Sequence, residues 1–588
     1  MAIAVGKYLG LGNNALTGIR PISVEKKDKT MNDQSMLIPT RVDKKGNSES
    51  RTTLTPSSDT RDKVIHCDVR PSIPVIFLPG VMGTNLKSNA GASVWAPPNM
   101  TGVADTIGAI FSLLGWSFRN AATRQTRLNP NDTMVDDRDD IDVGESGLSR
   151  TEARERGWGE IHRWSYHGIL AYLQKQLNEP MLHGEKEGDW HEHFKNASEN
   201  ETIAGIPVTI TDPAIFGAMQ KGDPLTEDEL KLFANFQYPV HAVGYNWTQS
   251  NGKSAETVFA RIKKICDRYG DGTKAIVVTH SMGGLVARAI ARIVPGGEEL
   301  IYGVVHGAQP ATGAPMAAKR FRTGAEDFKG GAFFGSNDAE WTAVAASSQS
   351  ALELMPMPDY RGGGPWWILS DEQGNPILSL PKSRGGAASE IYLSSAWYGL
   401  IPDDSLVDPA GIIKNSAEVA GARKSVRGVF SDAVKLAAIF QGRIERKYHR
   451  STYALFGDGT LTGANAPTET AESLLAFGTV NWKGTLPAGT TEEDMGAAEL
   501  LHDNHKGTWR ILVRGQVATL KIQPPDEPGD GTVPATSAAA QLGGEGVKQV
   551  FKQGGFEHQF CYQHPWARWA ALYGIAKVAQ LVPQKCHA

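Results

Sequence analysis

The sequence predicts an α/β fold, a mostly parallel sheet with helices on both faces, carrying two large lid-like insertions. Three observations predict it. Residues 275–285 (AIVVTHSMGGL) run from a β-branched apolar strand through a sharp turn into a helical pattern, with Ser281 at the apex. Strand-like runs at 239–247 and 300–309 flank this stretch, and 252–269 places Val258, Ile262 and Ile265 on one helical face. Such alternation implies parallel strands covered on both sides. The rhythm then breaks twice, over 91–190 and over 311–450. These breaks assign a first insertion (91–190), a second insertion (311–450) and a core from 63–90, 191–310 and 451–588.

In chain order, residues 1–62 are poor in aromatics and, from 25 onward, rich in Lys, Asp, Ser and Thr, which reads as a flexible arm. The first core strand is SIPVIFLPGVMG at 72–83, ending in a Pro-Gly turn. In the first insertion, 106–116 is a short apolar helix candidate and 165–178 an amphipathic one. The acidic run 132–145 lacks the spacing of a calcium-binding loop, and His183, His191 and His193 lack that of a zinc-binding helix. The second insertion is rich in Gly, Ala and aromatic residues (Trp341, Trp366, Trp367, Tyr392, Trp397), with a helix at 433–448. The core is expected to resume with a strand at 452–457, a hairpin at 508–522, a last strand at 547–552 and a helix at 564–581.

The chain has 588 residues, 40% of them apolar and 21% charged, with a net charge of −4. That balance is globular and does not point to nucleic acid. Cys67, Cys266, Cys561 and Cys586 form no C-x-x-C pair, so free thiols are expected. The start shows no leader-like apolar core, and no stretch approaches the ~20 apolar residues of a membrane span.

The chemistry centres on Ser281. A serine on a strand-to-helix elbow is lifted out of the sheet, and the next N–H, that of Met282, points at a developing oxyanion near a helix N-terminus. Thr279 occupies the usual first glycine of the elbow. The loop after the early core strand is where a second donor belongs, which nominates the Val81 N–H. An elbow serine needs a carboxylate and a histidine later in the chain, in that order. Two turns look alike, GDGT at 457–460 and GDGTVP at 529–534. Asp530 has the better claim over Asp458, because the final strand, a His-bearing loop and the last helix follow it directly. His558, on the Gly-rich loop after that strand, is the expected base. His564 precedes a proline at a helix start, His306 comes before Asp530, and His280 is expected to point away from Ser281. Such a set needs no metal and no organic cofactor.

The segments LPGVMG (78–83), YNW (245–247), THSMGG (279–284) and GDGTVP (529–534) resemble, in this order, the α/β-hydrolase lipases of the lecithin–cholesterol acyltransferase and lysosomal phospholipase group, and the GPI inositol-deacylase branch. Thr248 stands where those sequences more often carry Arg. With RGWGE (156–160), SYH (165–167), YNWTQSN (245–251) and FEHQ (556–559), the chain more closely resembles the fourth family of type VI secretion lipase effectors. The resemblance implies an α/β-hydrolase that cleaves glycerophospholipid acyl esters at the A1 or A2 position. It also implies a membrane phospholipid substrate, a secretion-spike carrier and a periplasmic immunity protein. The chain would be made in the bacterial cytoplasm without a signal peptide, then secreted to act in the target periplasm or on its membranes. Alternative readings are an esterase or acyltransferase on other lipid or small esters, or a non-catalytic secreted binding protein with the same fold.

Overall fold

The computed structural model describes residues 70–97, 119–182, 185–195, 211–325, 335–416, 424–459, 474–554 and 557–583, with short strand pieces before residue 70 and at 202–203 and 206–207. The helix expected at 106–116 lies outside them. The chain divides into two units, Met1–Val69 and Arg70–Ala588. In the first, Ser35–Ile38 pairs in parallel with Val64–Cys67. The expected arm therefore contains strand structure, and the boundary falls at 69 rather than 62.

Two six-stranded sheets organise the second unit. Their strands in chain order are β1 (Val75–Leu78), β2 (Val240–Ala242), β3 (Ala275–His280), β4 (Ile301–Gly307), β5 (Trp367–Ser370), β6 (Pro376–Leu380), β7 (Lys447–Gly457), β8 (Val480–Gly484), β9 (Glu499–Asp503), β10 (Thr508–Val513), β11 (Gln516–Ile522) and β12 (Glu545–Gln553). The helices that matter for the site are α1 (Arg163–Asn178), α2 (Asn251–Asp267), α3 (Gly283–Arg292), α4 (Pro315–Thr323), α5 (Asp338–Ala345), α6 (Val426–Ile444) and α7 (Pro565–Ala579).

The central sheet has the order β2-β1-β3-β4-β7-β12 and every pairing in it is parallel. Its strands are covered on both sides, which is why β3 is buried at all six positions. Val75, Phe77, Ile276 and Val278 pack with α1 and α7, whereas Ile76, Leu78, Ala275 and Val277 pack with α2 and α3. Helix α1 was expected within a cap, yet its Tyr166, Ile169, Leu170, Leu173 and Leu177 belong to the central core. The first insertion is thus partly sheet cover.

The second sheet has the order β6-β5-β8-β11-β10-β9, with β5–β8 its parallel pairing. It corrects the expected domain boundaries. The hairpin at 508–522, expected in the core, joins β5 and β6 of the second insertion through β8. In β10, Trp509, Ile511 and Val513 are buried while Arg510 is exposed, the period-two pattern of a strand covered on one face. The aromatic residues expected to form a lid, Trp366, Trp367, Tyr392 and Trp397, are the core of this sheet. Trp482 stacks on Trp509 at 4.1 Å. The helix expected to reach 448 stops at Ile444, because Arg446 enters the left-handed region (φ 51°) and the chain turns into β7. Among the described residues, no helix is long and apolar enough to cross a membrane.

Candidate active site

Strand β3 ends at His280 and the chain reverses within one residue. Ser281 takes φ 51°, a conformation that costs energy in a non-glycine residue and is held here by its surroundings. Its N–H donates to the Gly307 carbonyl (2.8 Å) and its carbonyl accepts the Gly284 N–H (2.9 Å). The glycines after it are required by proximity. A Cβ on Gly283 would lie 2.6 Å from the Pro79 carbonyl oxygen, and one on Gly284 would lie 2.2 Å from Gln309 Nε2. Thr279 fits because its hydroxyl, buried between strands, pairs with His306 Nδ1 (2.9 Å), and its carbonyl accepts the Tyr562 hydroxyl (2.7 Å). Burial pulls the His306 pKa down to about 3, so this partner is a neutral imidazole.

His558 begins the short helical turn after β12, and its Nε2 lies 2.9 Å from Ser281 Oγ. Its Nδ1 lies 2.7 Å from Asp530 Oδ2. Asp530 is buried, and its other oxygen accepts the backbone N–H groups of Thr532 (3.1 Å) and Val533 (2.8 Å). The turn chemistry of GDGT therefore presents an acceptor to the histidine. With Nδ1–H donated to Asp530, Nε2 keeps a lone pair for the serine hydroxyl proton. Burial opposes the imidazolium of His558, but the adjacent Asp530 carboxylate outweighs it and raises the pKa above the ordinary value.

The rivals are elsewhere. Asp458 faces Lys552 Nζ at 3.3 Å. His564 stands at the N-cap of α7 without a side-chain capping bond. His280 does turn away from Ser281, but toward a role missed in the sequence. Its Nε2 bonds the His558 carbonyl (2.8 Å) and its Nδ1 meets the Tyr166 hydroxyl (3.0 Å). Burial lowers its pKa to about 3. A neutral ring donating to a carbonyl through Nε2 must accept at Nδ1, so Tyr166 donates there and accepts the Gly80 N–H (3.1 Å). The signal was present in SYH at 165–167, whose tyrosine this is.

Val81 lies in the loop that follows β1, and Met282 is the N-cap of α3. Among the described residues, neither N–H donates to a backbone carbonyl. The loop is fixed around them. The Tyr245 hydroxyl donates to the Pro79 carbonyl (2.8 Å), Trp95 Nε1 to that of Met82 (2.8 Å) and Trp247 Nε1 to that of Thr84 (3.1 Å). Asn246 Nδ2 donates to Thr133 Oγ1 (3.0 Å) and its Oδ1 accepts the Thr248 hydroxyl (2.7 Å). The YNWT segment is thus a clamp on the loop.

Neither a scan against protein families nor a search of curated proteins gives a match. Among solved structures, one described as the crystal structure of a Tle4–Tli4 complex is similar at 33% identity with a TM-score of 0.70, covering 87% of this chain and 99% of that one. The chain belongs to the Tle4 family. It is an α/β-fold lipase effector of the type VI family anticipated from its motifs.

In this Tle4-family chain Ser281 and His558 open onto a cavity of about 1180 Å³. Its walls are mainly apolar. Met316, Phe321, Trp341, Val344 and Leu354 come from the second insertion, Ile522 from β11, and Trp95, Trp164 and Phe560 from the core side. The insertion is tied to the core at Glu353, whose carboxylate accepts the Ser250 hydroxyl and both the backbone and side-chain N–H groups of Asn251, each at 2.8 Å. Burial raises the Glu353 pKa to about 7.

The metal-like patterns of the sequence resolve into other contacts. Asp136 pairs with Arg138 (2.7 Å), and His193 stacks on Trp569 (3.7 Å); His183 lies outside the described residues. Asp338, Asp503 and His505 converge within 4.8 Å, but Asp503 already pairs with Arg322 (2.8 Å) and Asp338 with His505 (2.9 Å), which pins the β9–β10 turn to α5. Cys266 and Cys561 are buried free thiols.

Proposed function

We propose that this lipase effector is a phospholipase of A1/A2 type that hydrolyses glycerophospholipid acyl esters through Ser281, His558 and Asp530. The hydrogen-bonded row from Asp530 through His558 to Ser281, at the mouth of an apolar cavity, carries the reading. Ser281 Oγ attacks the ester carbonyl while His558 Nε2 takes its proton. The oxyanion gathers the N–H groups of Val81 and Met282. Collapse breaks the ester C–O bond, His558 returns the proton to the leaving alcohol, and an acyl-serine remains. Water activated by the same nitrogen then releases the fatty acid. Asp530 holds the imidazole tautomer and stabilises its cation. Acyl chains of ordinary length suit the cavity by size and by its apolar walls.

The solved relative is described as a Tle4–Tli4 complex, and by analogy this chain would be neutralised by a partner protein, a periplasmic immunity protein on the sequence resemblance. Carriage on a secretion spike and action in the target periplasm or on its membranes belong to the same reading. The test compares wild type with Ser281→Ala on phospholipid vesicles and on a short-chain soluble ester. Fatty acid release from vesicles by wild type alone is expected. Equal release by both proteins, or turnover confined to the soluble ester, would remove the phospholipase reading.

A further inference from the structure

Beside the large cavity lies a second of about 300 Å³. The two share Trp164, Ser165, Gln559 and Phe560 as wall residues, and the Trp164 and Phe560 rings pack edge-on at 4.7 Å where the cavities adjoin. Their linings differ. The large one is mostly apolar, whereas Ser165, Gln559, Gln563 and Arg568 line the small one and no carboxylate does. Gln559 directly follows His558, so this polar space begins one residue from the group expected to work on the ester.

Arg568 is set up as a fixed cation. Its Nε donates to the Tyr562 carbonyl (2.7 Å), and its guanidinium carbon lies 4.7 Å from the centre of the Tyr172 ring. These contacts hold the plane and leave the terminal nitrogens without an ion-pair partner among the described residues. Asp189 accepts the Tyr172 hydroxyl instead. A positioned guanidinium is well matched to phosphate oxygens.

Gly168 supplies an independent observation. It lies inside α1, lines the small cavity, and its φ is not positive. A Cβ there would meet nothing within 4 Å. Neither turn geometry nor crowding accounts for a residue that disfavours the helix interior. Gly168 is exposed on the wall of the small cavity, and a larger side chain there has open space to enter.

We propose that this small cavity is the headgroup subsite, receiving the phosphodiester of a glycerophospholipid through Arg568 while the acyl chain occupies the large cavity. The inference rests on the phospholipase reading of the site. The phosphate of such a lipid is only a few bonds from its acyl esters, which matches two cavities sharing a wall next to His558.

The test measures fatty acid release from phosphatidylglycerol and from diacylglycerol of the same chains, both in mixed micelles, by wild type, Arg568→Gln and Gly168→Leu. Arg568→Gln removes the cation, and Gly168→Leu adds an apolar side chain to the cavity lining while the cation is retained. The ratio of phosphatidylglycerol to diacylglycerol turnover is expected to fall about tenfold or more in each variant, since a hydrogen bond to a charged group is lost or blocked. Melting temperatures near that of wild type would show both variants folded. A wild-type ratio in both folded variants, or an equal loss on both lipids, overturns the subsite while leaving the phospholipase reading intact. Wild type that cleaves diacylglycerol but no phospholipid overturns both.

Discussion

The parallel sheet and the mixed sheet are written in the sequence in different ways. Strands β1 and β3 are unbroken apolar runs, VIFL and AIVVTH, because both of their faces are buried. Strands β10 and β11 alternate, TWRILV and QVATLKI, because one face is buried and the other is not. The parallel sheet carries Ser281 and His558 on the turns beyond β3 and β12, and the turn bearing Asp530 packs on it through Val533. The mixed sheet, with α4 and α5, supplies much of the cavity wall. One half is built for fixed geometry and the other for shape and apolarity, so changes in the two should have different consequences.

The largest effect is expected within the row from Asp530 to Ser281. Asp530→Asn should lower kcat roughly ten-thousandfold, since the amide cannot hold the required imidazole tautomer. Asp458→Asn, whose carboxylate faces Lys552 rather than His558, should stay within a few-fold of wild type. The Asp530 carboxylate also holds the His558 pKa up, so the acid limb of kcat/KM in wild type should lie above pH 6.5 and move down in Asp530→Asn, provided residual activity is measured. A reversed order of the two variants would place the acid on the other turn.

A smaller effect is expected where the second insertion meets the core. The folded-state pKa of Glu353, about 7, lies above its ordinary 4.5. The native state therefore binds this proton more tightly than the unfolded chain does, and stability falls as pH rises from about 4.5 to 7. Gln at this position keeps one acceptor oxygen for Asn251, turns its N–H group toward the Ser250 hydroxyl, and carries no charge. Relative to wild type, Glu353→Gln should gain up to about 3 kcal/mol between pH 4.5 and 8 in urea unfolding. Parallel pH curves for the two proteins would show that the carboxylate is not disfavoured by burial there.

The contrast also explains what could be read in advance. Ser281 and His558 could be nominated because each follows a parallel-sheet strand, and Asp530 because its GDGT turn has its own local signature, although the chain reaches that turn from the second sheet. The assignment of 508–522 failed because strand character is local while partner choice is not. Alternation marked β10 and β11 as strands, but nothing near them names β8 and β5 as neighbours. Tyr166 and His280 were missed for a related reason. The Gly80–Tyr166–His280–His558 chain joins four separate parts of the sequence and exists only once α1 packs against the loop after β1. The aromatic residues of the second insertion were read as a lid, yet most fill a core of their own, with Trp341 reaching the cavity.

In the proposed mechanism Ser281 is a nucleophile because His558 and Asp530 make it one. The direct test treats wild type, His558→Ala and Asp530→Asn with a fluorophosphonate ester and maps the adduct by peptide mass spectrometry. A single adduct on Ser281 in wild type, slowed by orders of magnitude in both variants, is the expected result. An adduct on another residue, or labelling of Ser281 at the same rate in all three proteins, would contradict the account.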